Sequence, residues 1–281
     1  MATTDIYSIQ GDITKTRHAA RFLGGDVNDG IQVDALAAAM VAGNHNKGTI
    51  TAWIMCPDET GTYTIFGAGD ANVAEYMHFT LIAGKLTFKV QDGGATRVQV
   101  TTTNKVINRN KWHHVALVQD GTKPKIYVDG IEKPLTIDTG TELGQWFDDT
   151  DGIDGAHIGA ADSIGGDAAL TQEFKGYISD VKVWSGTATT AALSAAQVLA
   201  DSRNDTQNTT SLLAHYDMDC QVVNQANPGT YDGTVVGDLI CVDANEFACK
   251  LSFQTGIPVV ADKLVMSISN GIGFGIVIQA A

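Results

Sequence analysis

The sequence predicts an all-β protein, a sandwich or jelly roll of two antiparallel sheets with one short helix. Three observations carry the prediction. Apolar and polar residues alternate at a spacing of two in many short runs, which marks strands with one buried and one wet face. Thirty glycines and Asp-Gly pairs punctuate these runs, and Gly tolerates the positive φ of tight hairpin turns. Only six of the 32 acidic residues are Glu; the rest are Asp, which favours turns and caps over helix interiors.

Taken in order, Ile50, Ala52 and Ile54 share one face of a strand, and Leu86, Phe88 and Val90 point away from Thr87 and Lys89. Ile126 with Val128, and Val181 with Val183 opposite Asp180 and Lys182, repeat the pattern. Asp120-Gly121 and Asp129-Gly130 are turn signals. The one helix expected starts at Ser194, where Gln197 three residues on completes a capping box and Ala195 to Ala200 are good helix formers. Residues 1–17 read as a polar N-terminal arm. Residues 239–281 are an apolar β-rich tail in which Asn270-Gly271 marks a hairpin. Forty residues hold little core alone, so the tail is expected to pack on the sandwich or on another subunit.

The chain has 281 residues and 44% hydrophobic residues, enough for a packed core, and no run of eighteen apolar residues that would span a membrane. Its net charge of −14 opposes non-specific nucleic-acid binding and docking on anionic membranes, which both need basic surface. Met1 to Gly11 lacks the basic and apolar segments of a secretory signal, so synthesis in a cytoplasm is expected. Cys56, Cys220, Cys241 and Cys249 lack the CxxC spacing of structural zinc sites. Free buried thiols are expected, with a Cys241–Cys249 bridge as the alternative.

Several segments in order resemble a family. Ala20-Arg21-Phe22-Leu23-Gly24-Gly25, then Asn28-Asp29-Gly30-Ile31-Gln32-Val33, are similar to the opening strands of laminin G-like, concanavalin A-like domains. Gly48 to Ile54 and Thr64 to Asp70 resemble the next two signatures. The pair Trp112-His113-His114-Val115-Ala116 and Ile126-Tyr127-Val128-Asp129-Gly130 is the most characteristic. His157-Ile158-Gly159, Phe174 to Trp184, Leu213 to Asp219 and Asp232 to Gly237 complete the series over residues 18–238. The resemblance implies a concanavalin A-like jelly-roll sandwich. It also implies that Trp53, Trp112 and Trp184 pack in the framework, and that His114 and His215 are hydrogen-bonded framework residues.

Glucanases of this fold carry a Glu-x-Asp-x-x-Glu strand that sets two carboxylates on one sugar. Glu59, Glu75, Glu132, Glu142, Glu173 and Glu246 form no such pattern, and no GxSxG elbow is present; no catalytic residue is assigned. The segment Trp146 to Gly155 holds Asp148, Asp149, Asp151 and Asp154, oxygen donors for Ca2+, which takes six to eight oxygens and accepts irregular loops. Family members often hold a calcium at the sandwich rim; the competing reading is a solvated acidic loop. Asp70 and Asn72 lie in a loop that reaches the same rim. Tyr76, Trp146, Phe147 and Tyr63 offer flat faces to sugar rings, or else plug the packing.

These observations point to a non-enzymatic structural or adhesive surface protein. A lectin-like fold without an export signal suits a particle assembled in the cytoplasm and released by lysis, such as a bacteriophage virion. There it would serve as a decoration, capsid-surface or fibre subunit that binds host or environmental glycans. Its arm and tail would join copies of itself or other particle subunits. The alternative is a free soluble lectin secreted by a route without a signal; a glycoside hydrolase has the least support.

Overall fold

The computed structural model describes residues 18–25, 28–58, 60–70, 75–150, 152–161, 170–205, 208–218 and 222–243, with the backbone of strands 265–267 and 275–277. The expected arm, Asn72, Asp151, Cys220 and Cys249, and the Asn270-Gly271 turn lie outside the described residues. The chain divides into two compact units, residues 1–247 and 248–281.

The first unit is a sandwich of two antiparallel sheets. Its elements in chain order are β1 (His18–Phe22), β2 (Gly30–Gln32), α1 (Asp34–Ala42), β3 (Lys47–Met55), β4 (Thr62–Gly69), β5 (Tyr76–Ile82), β6 (Lys85–Asp92) and β7 (Ala95–Thr102). There follow β8 (Trp112–Gln119), β9 (Pro124–Val128), β10 (Ile131–Lys133), β11 (Leu135–Gly140), β12 (Gly155–Ile158), β13 (Gly176–Gly186), α2 (Ala195–Ser202), β14 (Leu212–Tyr216), β15 (Thr234–Val236) and β16 (Ile240–Asp243). One sheet runs β10-β9-β8-β3-β13-β1-β16, with β14 also paired to β13; the other runs β11-β7-β6-β5-β4-β12-β2-β15. The jumps from β3 to β13 and from β4 to β12 give the crossed connectivity of a jelly roll rather than a meander.

The alternation read from the sequence sets the inner faces. Ile50, Ala52 and Ile54 of β3 face Phe79 and Leu81 of β5, and Phe88 and Val90 of β6, across one core in which each is fully buried. Asp129 and Gly130 both take positive φ in the β9–β10 hairpin, as a type I′ turn requires. On the outer face of the β3 sheet, Ala116, Val118, Tyr127 and Trp184 pack with Leu193 and Val198 from the α2 region in a second, smaller core. The Ser194 cap is formed: its hydroxyl accepts from Gln197 N, and the Gln197 side chain accepts from Ser194 N at 2.8 Å.

Two differences from the sequence reading have physical causes. A second helix, α1, buries Leu36, Ala37 and Met40; its Asp-Ala-Leu-Ala-Ala-Ala-Met run is apolar on all sides and shows no periodicity to read. The sandwich also extends past residue 238, because β16 pairs with β1 from His18↔Asp243 to Arg21↔Ile240. In the second unit, β17 (Val265–Ser267) pairs antiparallel with β18 (Gly275–Val277), the two arms of the expected hairpin. Among the described residues no helix is long and apolar enough to cross a membrane.

Candidate functional site

The candidate trough lies on the outer face of the β5 sheet at the end of β4. In the ladder, Tyr76 of β5 faces Gly69 of β4, which faces Gly155 of β12. Gly69 and Gly155 are both buried, and the Tyr76 ring beside them is half-buried. Tyr76 stacks on His78 with ring centroids 4.3 Å apart and planes 19° from parallel. Its hydroxyl donates to Gln91 Oε1 at 3.0 Å and accepts from Lys89 Nζ at 2.5 Å. These four side chains share the polar face because Met77, Phe79, Phe88 and Val90 take the core face of the same two strands.

Two of the sequence-predicted acids lie at the end of the β4–β12 pair. Extending the Gly69↔Gly155 register by one residue sets Asp70 opposite Asp154. Asp70 is 7% exposed, its N–H donates to Glu75 O at 2.9 Å, and Asp154 N–H donates to Gly69 O at 3.1 Å. The Asp70 carboxylate lies against Gly152, where a Cβ would collide with it and φ is +72°, so the acidic loop packs on Asp70 only with glycine at 152.

Trp146 and Phe147, expected to present faces to a ligand, are core residues and both 0% exposed. The Trp146 indole lies flat on Gly48, where any Cβ would strike its ring. Its Nε1 donates to Ser185 Oγ at 3.1 Å, and its centroid is 6.1 Å from Phe88. Phe147 meets Phe66 at 6.4 Å in an edge contact. The signal that separates them from surface aromatics is Gly48, a gap in the facing strand that a large ring must fill.

Asp148 and Asp149 sit apart from the trough, in a polar cavity of about 370 Å³ that Lys47, Asn46, Glu142 and Gln145 also line. Burial first, then the neighbouring Asp149 carboxylate, push the Asp148 carboxyl up to about 6. Asp149 Oδ2 is committed to Trp146 N–H at 3.0 Å. Among the described residues no group of three or more His, Cys, Asp or Glu side chains converges as metal ligands would.

The framework histidines are bonded as the resemblance implied. His114 Nε2 lies 3.0 Å from Asp201 Oδ2, and His215 Nε2 lies 2.7 Å from Asp180 Oδ1. Lys182 bridges the two acids, 2.9 Å from Asp180 and 2.8 Å from Asp201. Asp180 takes φ +50° at a bulge in β13, which breaks the strand's alternation there. Burial opposes charge on both acids, but the histidine hydrogen bonds and Lys182 overcome it and hold both carboxyls below the ordinary range. This cluster ties α2 to the sheet and opens on no cavity among those described. Cys56 is buried, and its thiol donates to the Asp58 carbonyl.

The two-sheet jelly roll defines a lectin-type sandwich. A family model described as the Concanavalin A-like lectin/glucanases superfamily matches residues 24–198, and the chain belongs to that family. Solved structures share the fold at low identity. The Ruminococcus gnavus IT-sialidase CBM40 bound to α2,3-sialyllactose aligns at 14% identity and TM-score 0.51, over 66% of this chain and 97% of that one. A native heptameric SAP-like pentraxin from Limulus polyphemus aligns at 16% and 0.53, over 81% and 95%. A carbohydrate-binding protein from Bacteroides ovatus ATCC 8483, so described provisionally, aligns at 21% and 0.51, over 82% and 60%. No curated protein matches the chain.

Proposed function

We propose that this chain is a non-enzymatic, glycan-binding adhesive subunit, displayed on a particle surface such as a bacteriophage virion. One observation carries the glycan reading: the half-buried Tyr76 ring stands on the outer face of the sheet among the polar groups of His78, Lys89 and Gln91. Sugars bind through a flat apolar face and a rim of hydroxyls, and such a trough offers a surface for each. The carbohydrate-binding neighbours support this by fold alone.

The apolar tail and its separate hairpin unit support attachment to further copies or to other particle subunits. A two-stranded hairpin is marginal in water without a partner. Calcium belongs to the same reading. Of the expected set Asp148, Asp149, Asp151 and Asp154, it is Asp154 that lies beside Asp70 in the register; both are oxygen donors, the kind a hard cation takes. Bound there, it would supply positive charge for sugar hydroxyls.

A glycan array with the full-length protein tests the reading. Wild type retains a defined set of glycans, and Tyr76→Ala lowers that binding at least tenfold while the fold persists. Absence of any glycan signal across the array would remove the adhesive role and leave a purely structural subunit.

A further inference from the structure

We infer that the trough selects an acidic sugar, with the carboxylate or sulfate of the ligand held by Lys89. The inference rests on the glycan-binding reading and narrows it to one ligand class.

The chain has 32 acids against 18 lysines and arginines, so a cation on its surface has carboxylates in excess to choose from. Arg97 engages Asp92 at 2.9 Å and Glu142 at 3.3 Å. Lys125 engages Asp120, and Lys182 engages two acids. Lys89 engages none among the described residues. Its register neighbours are His78 and Gln99. Asp138, two strands over, accepts from Thr101 Oγ1 at 2.5 Å and Gln99 Nε2 at 3.5 Å.

The Lys89 ammonium is nevertheless held in place. It donates to the Tyr76 hydroxyl and stands 5.0 Å from the centre of that ring, and the hydroxyl passes its own proton to Gln91. The Lys89–Tyr76–Gln91 chain fixes the head group before any ligand arrives, which lowers the entropy lost on binding. An ammonium has three donors, and Tyr76 takes one. A ligand anion completes the rest, and such charge-assisted bonds are about twice as strong as neutral ones. On a protein of net charge −14 long-range attraction cannot recruit an anion; the selectivity must be local to this lysine.

The test is calorimetry on the full chain with three probes: lactose, 3′-sialyllactose and 3′-sulfolactose. One or both acidic probes bind at least about tenfold tighter than lactose, the scale of one charged hydrogen bond. The preference weakens with salt. Lys89→Gln removes it and Lys89→Arg keeps it. The two acidic probes separate carboxylate from sulfate recognition. Equal affinity for lactose and the acidic probes, unchanged in Lys89→Gln, overturns the inference while leaving glycan binding standing. Binding of none of the three, with no hit on the wider array, overturns both.

Discussion

Lys182 of β13 and Asp201 of α2 meet at 2.8 Å with both side chains 6% exposed, so the helix is fastened to the sheet by a buried ion pair. Thr51 and His114 add hydrogen bonds to the same carboxylate at 2.9 and 3.0 Å. Lys182→Met leaves Asp180 and Asp201 buried without their cation. Breaking one side of such a pair costs about 3–5 kcal/mol, and urea unfolding at neutral pH should show a loss of that size. Lys182→Met with Asp201→Leu should recover part of it, because an apolar pair leaves one buried charge fewer.

The same cluster sets an acid limit. Asp180 and Asp201 are held below the ordinary carboxylate range. A depressed folded pKa gives stability that is present above the unfolded value of about 4 and is lost as pH falls through the folded value. Stability should therefore decline steeply below about pH 4, and an Asp180→Asn variant should show a shallower decline. An unchanged acid profile in that variant would mean Asp180 is not a source of the acid sensitivity.

Trp146 separates core from ligand site. Trp146→Ala should cost about 3–5 kcal/mol as a large buried ring is lost. Trp146→Phe should cost less and leave glycan affinity unchanged, whereas Tyr76→Ala should do the reverse. A loss of affinity in Trp146→Phe at full folding would return that ring to the binding surface.

What the sequence disclosed follows from what each signal encodes. Alternation in β3, β6 and β13 reports which face is buried, and the cores match it. Asp70, read from the sequence as a rim residue after the Gly67-Ala68-Gly69 strand, is buried against Gly152. Trp146 and Phe147 misled because the acids beside them mark a surface loop, while burial depends on Gly48 a hundred residues away. Lys89 read only as the wet side of a strand. Its bond to Tyr76 arises from register between β5 and β6, which alternation within one strand does not encode.

The acidic loop gives the last prediction. Asp148 has its folded carboxyl raised to about 6, the opposite sign to Asp180. Its folded form favours the proton, so stability falls as pH rises from about 4 to 6 and stays lower above that. Asp148→Asn should then stabilise the apo protein at pH 7 by up to about 1 kcal/mol, since solvent screens an exposed carboxylate. Calcium should act in the same direction. For a weak site of millimolar or submillimolar affinity, saturating calcium adds about 2 kcal/mol, or several degrees in melting temperature. Asp70→Asn should abolish that rise. If calcium shifts wild type and Asp70→Asn equally, the ion sits elsewhere; if it shifts neither, the loop is simply solvated, and only the Asp148→Asn gain should remain.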